Sequence, residues 1–194
     1  MKQAKLFGSE EQIKVLTSLE LAKAEIIAKQ VEDLIKPLCD KFKIVGSIRR
    51  KRPIIGDCDF VVKATDANWS KICNALKKSQ VICTGSIVIK VNVPFEGNLF
   101  QVDFYRAHDN NFGIQELIRT GSAEHNTWLA SYAISKGYRL KYSDGLVKDG
   151  QVVAGKTEES VFSALGLPCK KPEDREIVNG KPVWLKTDDK EKMK

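Results

Sequence analysis

The segment Asp57-Cys58-Asp59-Phe60-Val61-Val62-Lys63 limits what this chain can fold into more than any other. It reads as a β-strand, in which successive side chains point to opposite faces. Asp57, Asp59 and Val61 therefore share one face, and Cys58, Phe60 and Val62 share the other. Two carboxylates so placed repel each other unless something positive sits between them. Their spacing suits a shared hard cation. Upstream, Gly46-Ser47 closes a shorter strand predicted from Phe42 to Val45. A tight turn there exposes backbone N–H groups and a hydroxyl, which can hold phosphate oxygens.

A single D-x-D pair is a weak signal, because chance surface pairs are common. A third acid strengthens it. Asp103 lies in FQVDFY, where alternation aims it opposite to Val102 and Phe104. If the two strands are neighbours, three carboxylates converge and suit a two-metal site. The alternative is that Asp103 is an ordinary sheet-edge acid.

The surrounding pattern predicts an α+β fold. A helix is expected from Ser18 to Lys41, with Ala24, Ile27, Val31, Leu34 and Leu38 on one face and Pro37 disturbing the last turn. Residues 1–17 read as a short leader. A second helix is expected from Asn68 to Lys78, and strands from Ile87 to Val93 and from Leu99 to Tyr105, joined through the PFEGN turn. From about Ala107 a second half begins. Helices are predicted from Phe112 to Arg119 and from Ala123 to Lys136, broken at Thr120-Gly121-Ser122. Two short strands follow between Tyr138 and Val153, and then a helix capped by Thr157. The end of the chain, TDDKEKMK, reads as frayed.

Charge points the same way. The chain has 32 Lys and Arg against 25 Asp and Glu, a formal net charge of +7, which favours polyanionic partners. Arg49, Arg50, Lys51 and Arg52 are consecutive cations. Alone, such a run is as readily a solvated face as a binding site. Five scattered cysteines without a CxxC pair indicate neither a zinc site nor a disulfide framework. No apolar run is long enough for a membrane span, and MKQAKLFGSEEQ lacks the apolar stretch of a signal peptide. The expected location is intracellular: cytoplasmic, or nuclear or viral if the source is a eukaryote or a virus.

With these residues in view, the chain resembles the family X DNA polymerases, the group of DNA polymerase beta. The G-S-x-R-R segment, the G-D-x-D strand and the later single-Asp strand carry the first part of the likeness. TGSAEHN, KGYRL, DGLVKDG, TEESVFSALGLP and PEDRE carry the second, more specific part, and together they cover roughly residues 20–176. The resemblance implies a nucleotidyltransferase-type palm (residues 1–106), a helix-backed mixed β-sheet. A small α+β C-terminal subdomain (107–176) and a tail (177–194) would follow.

It also implies template-directed DNA polymerisation, as in short-gap filling during repair. Its partners would be a primer-template or gapped DNA and a dNTP, and it would act as a monomer away from membranes. The implied cofactor is Mg2+, two ions, with Mn2+ as a substitute. Asp57 and Asp59 match the pair that binds both metals. Asp103 matches the acid that binds the catalytic metal and helps deprotonate the primer 3′-hydroxyl. Gly46, Ser47, Arg50 and Gly56 match the triphosphate pocket, Gly121 and Ser122 the turn beside the incoming sugar, and Asn126 the contact to its base edge. Ile118 and Arg119 stand where many relatives carry an aromatic pair against the sugar, and Ala130 where some carry an arginine against the template. Arg49, Lys51, Arg52 and His125 are candidate DNA contacts.

The few residues before Gly46 lead us to expect a minimal member, without the lyase and helix-hairpin-helix regions of many relatives. Two other readings stay open. One is a non-templated nucleotidyltransferase, which would share the first motif without needing TGSAEHN. The other is an inactive DNA-binding scaffold, against which the three intact acids argue. His108 is a conceivable metal neighbour, although hard cations prefer oxygen ligands. Trp69, Trp128 and Trp184 could stack on bases or pack in the core.

Overall fold

The computed structural model describes residues 13–184. The predicted leader therefore falls mostly outside the described residues, as does the TDDKEKMK end. What is described of the leader is not a leader. Val15–Leu16 forms β1, which pairs in parallel with Leu99 and Phe100 of a central strand. Leu19–Glu20 (β2) pairs with Ile54–Ile55 (β4).

The first helix, α1 (Leu21–Ile35), starts later and stops earlier than expected, and a 3-10 turn over Lys36–Leu38 follows at Pro37. Its buried stripe is Ala24, Ile27, Ala28, Val31 and Ile35. Leu34 is not part of it. Ala28 and Ile35 complete the stripe, and Leu34 turns to solvent with 54% exposure. This stripe packs on a sheet whose strands run β3 (Lys41–Ile44), β5 (Cys58–Lys63), β8 (Asn98–Arg106), β7 (Val88–Phe95) and β6 (Gln80–Thr84), with β1 joined to β8. Between β3 and β5 lies a single helical turn, α2 (Gly46–Arg49).

β5 and β8 are parallel and the other main pairs antiparallel. β7 and β8 form a hairpin about Glu96 and Gly97, both at positive φ, the two-residue turn that matches strand twist. α3 (Asp66–Ala75), capped by Thr65, lays Trp69 and Ile72 into the same core. The Trp69 indole donates to Gly85 O at 3.0 Å, so Trp69 is a packing residue.

The second core lies under α4 (Phe112–Thr120), α5 (Ala123–Ser135), α6 (Glu158–Ala164) and a three-stranded sheet. Its strands are β9 (Arg139–Lys141), β10 (Gly145–Lys148) and β11 (Gln151–Ala154), one more than expected. Val45, Val61, Ala107 and Phe112 form a small cluster that joins the halves. The predicted tail is partly folded: Ile177–Val178 (β12) pairs with Lys181–Pro182 (β13), and Trp184 packs edge-on against Trp128. Residues 185–194 lie outside the described residues. Among the described residues, no helix is long and apolar enough to cross a membrane.

Candidate active site

Register brings the acids together. β5 and β8 pair so that Asp59 lies opposite Asp103, and Asp57 precedes β5 by one residue on the same face. One carboxylate oxygen from each of the three lies within 4.8 Å of the others. Asp103 is 1% exposed, while Asp57 and Asp59 are half-buried. Burial and the neighbouring Asp103 raise the Asp57 carboxyl above its usual range, with Lys90 and Arg50 pulling it back. Asp59 is pushed up to about 7, first by burial and then by Asp57 and Asp103. Three hard oxygen donors whose mutual repulsion hinders ionisation are a donor set that fits divalent cations. His108 is exposed and stands outside this cluster.

Gly46 adjoins the acids. Its φ is +65°, and a Cβ built there would meet Asp59 Oδ2 at 2.1 Å. The chain can pass behind Asp59 only as glycine. Ser47 is half-buried on α2, and Gly56 is exposed just before Asp57.

Arg50 reaches from α2 to the turn between α4 and α5, where its guanidinium donates to Thr120 O. A Cβ on Gly121, whose φ is +75°, would lie 2.9 Å from Arg50 Nη1. Arg50 and the Gly121-Ser122 turn are thus in contact. Ser122 caps α5 by accepting from His125 N at 3.3 Å. Asn126 Nδ2 donates to Ile118 O at 2.7 Å and holds the same turn. Ile118 is half-buried against the second core.

Several expectations are corrected here. Arg119 stacks on Tyr105 of β8. Its guanidinium lies 3.7 Å from the centroid of the Tyr105 ring, a cation–π stack. His125 is not surface-facing: it is fully buried between the rings of Trp128 and Phe162 and cannot touch DNA from there. Arg49 also points inward. It binds Glu158 through both terminal nitrogens, at 2.8 and 2.7 Å, and donates to Thr120 Oγ1 at 2.7 Å. Lys51 pairs with Glu25 and Arg52 with Glu176, both at the surface. The basic run is thus largely engaged within the protein.

Sequence reasoning missed the groups that hold Asp103. Lys90 of β7 sits directly across from it and forms an ion pair with its Oδ2. The Tyr105 hydroxyl donates to the same oxygen at 3.1 Å, and Gln101 Nε2 donates to Oδ1 at 3.0 Å. Gln101 and Tyr105 are two residues either side of Asp103, so strand alternation carried that signal. Lys90 was legible only once the β7–β8 register was known. Also missed was Glu158, 4% exposed, which binds both Arg49 and Arg175. Burial opposes its charge, but those hydrogen bonds outweigh it and hold the carboxyl below its usual range.

A mixed sheet carrying three converging acids, followed by a smaller helical subdomain that supplies a Gly-Ser turn, defines an α+β protein with a DNA polymerase beta-like fold. Residues 117–176 match the family described as DNA polymerase beta thumb. The DNA polymerase/3'-5' exonuclease PolX of Bacillus subtilis (strain 168) is 27% identical over 187 residues, covering 88% of this chain and 32% of that protein. These matches support a family X polymerase-like protein, and the chain spans about a third of the length of this curated relative.

Proposed function

We propose that this chain extends a DNA primer on a template, forming a bond from the primer 3′-oxygen to the α-phosphorus of a dNTP and releasing pyrophosphate. The observation that carries the reading is the convergence of Asp57, Asp59 and Asp103 within 4.8 Å, on the side of the sheet that Arg50 links to the Gly121-Ser122 turn. Magnesium, or manganese in its place, would be held by the three acids and would supply charge neutralisation for the triphosphate. Asp103 would accept the proton of the primer 3′-hydroxyl at a carboxylate oxygen. Arg50 would bind the triphosphate. Its Nε has no acceptor among the described residues, and its planar fork suits phosphate.

The remaining roles rest on the resemblance. Ser47 and the backbone near Gly46 and Gly56 would complete the phosphate pocket, with the Gly121-Ser122 turn beside the sugar and Asn126 at the base edge. Asn126 would have to exchange its bond to Ile118 O for one to the nucleotide. Lys51 and Arg52 are the members of the basic run exposed enough to meet DNA. Residues 1–106 would supply the palm and 107–176 the nucleotide and DNA grip, with 177–194 a tail, acting as a monomer in short-gap repair.

The test is primer extension on a gapped duplex with magnesium, with and without a template base. Extension that follows the template supports the reading. Equal extension without template would instead identify a non-templated nucleotidyltransferase. No extension together with tight DNA binding would identify an inactive scaffold.

A further inference from the structure

The acids have one direct cationic neighbour that the proposed function leaves unused. Lys90 and Asp103 are cross-strand partners in β7 and β8, and the ammonium is ion-paired to Asp103 Oδ2. The two ends of this pair differ in what leaving it would cost. Asp103 is 1% exposed, whereas the Lys90 side chain is 36% exposed on a flexible stem. Lysine is a compact point charge, and it can swing to water with little loss. Asp103 would not follow it, because Gln101 holds Oδ1 at 3.0 Å and the Tyr105 hydroxyl holds Oδ2 at 3.1 Å. Arg50 and Arg119 act on the acids only through space.

We propose that Lys90 is a built-in, displaceable counter-ion of the acid cluster. It neutralises Asp103 while the site is empty of metal and competes with a divalent cation for the same carboxylate. This rests on the reading that Asp57, Asp59 and Asp103 bind metal. Lys90 is a positioning residue that acts through Asp103. It sets the metal concentration at which the site loads, since a group that occupies the free state weakens apparent binding in proportion to its own occupancy.

The experiment is a Mn2+ titration of the full chain without DNA, reading free Mn2+ by electron paramagnetic resonance, with melting temperature followed in parallel. Lys90→Met, which keeps the length and removes the charge, should bind Mn2+ at least about fivefold more tightly than wild type. Its metal-induced rise in melting temperature should be larger. Lys90→Arg should bind as wild type does. In an Asp103→Asn background the change Lys90→Met should have no effect on affinity. If Lys90→Met fails to fold, Lys90→Gln provides the same comparison.

Affinity equal to or weaker than wild type in the uncharged variants would overturn the inference while leaving the metal site standing. So would tightening that persists without Asp103. Absence of Mn2+ binding by wild type and variants alike would overturn the inference together with the metal reading beneath it.

Discussion

Gly46 shows how little freedom the residues around the acids have. At φ +65°, with Asp59 Oδ2 only 2.1 Å from where a Cβ would stand, Gly46→Ala faces both backbone strain and a collision with the Asp59 side chain. We expect a loss of stability of about 1–3 kcal/mol in denaturant unfolding and a fall in incorporation larger than that instability explains. A variant with wild-type incorporation would show that Asp59 can shift without consequence. The acids themselves should behave differently. Asp57→Ala, Asp59→Ala and Asp103→Ala each remove a proposed metal ligand, so single-turnover incorporation should collapse. Asp57→Ala and Asp59→Ala also relieve repulsion and should keep the melting temperature, whereas Asp103→Ala strips Lys90, Gln101 and Tyr105 of their acceptor and should lower it. Retention by Asp103→Ala of a tenth of the wild-type rate, about 1.4 kcal/mol, would sink its assignment. At this scale the sequence was most informative where the signal was local. Alternation aligned Asp57 with Asp59 and turned Asp103 away from Val102. Lys90 and Glu158 escaped because their partners lie across a hairpin and across the whole fold, separations that no local pattern encodes.

Between elements, the Arg49–Glu158–Arg175 cluster ties α2, α6 and the segment after Pro172 together. Arg49 comes from α2, Glu158 from the first turn of α6, and Arg175 from the segment after Pro172. Glu158 and Arg175 are 4% and 1% exposed. Removing the central carboxylate leaves the buried Arg175 without a carboxylate partner, while Arg49 keeps Glu116 at 3.0 Å. Breaking a buried pair from one side costs about 3–5 kcal/mol. Glu158→Ala should therefore destabilise the chain by that order in urea unfolding, and Glu158→Gln, which keeps an acceptor, by less. A loss within about 0.5 kcal/mol would mean that the cluster opens readily to water. Glu158 follows the Thr157 cap in the first turn of α6, and its pairing with Arg49 and Arg175 spans separations that no local pattern marks. Strongly periodic elements were legible in general: α1, β5, β7, β8 and the capped α6. Among those missed, β1, β2, β4, β12 and β13 are two-residue strands and β6 lies at a sheet edge with every residue exposed, so no alternation marks them.

For the molecule as a whole, charge decides two behaviours. The net charge is +7, yet much of the Arg49–Arg52 run is paired internally, so attraction to DNA should come from the summed field rather than from one patch. Binding to a gapped duplex should weaken steeply as salt rises and vary little with sequence. An affinity flat from low to physiological salt would contradict this. Global stability should also report the acid cluster. Asp59 has its folded pKa raised to about 7 from an ordinary 3.8, so the folded protein binds its proton more tightly than the unfolded chain. The resulting penalty is fully present above pH 7 and is relieved as pH falls toward 3.8, with the proton shared among the coupled acids. His125 has the opposite sign. Burial, and then Arg175, lower its pKa to about 4, so acidification below 6.5 protonates the unfolded chain and costs stability. The two slopes oppose each other between pH 6.5 and 4, and the wild-type profile alone will be shallow. The difference between wild type and Asp59→Asn isolates the acid. Without metal, Asp59→Asn should be more stable than wild type by about 1–3 kcal/mol at pH 8, and the gain should shrink as pH falls below 7 and vanish only below about pH 3.8. Adding Mn2+ at pH 8 should stabilise wild type and reverse the order, because the cation replaces the missing proton. A gain that did not depend on pH would mean that Asp59→Asn acts through packing, and that the three acids do not burden one another in the folded protein.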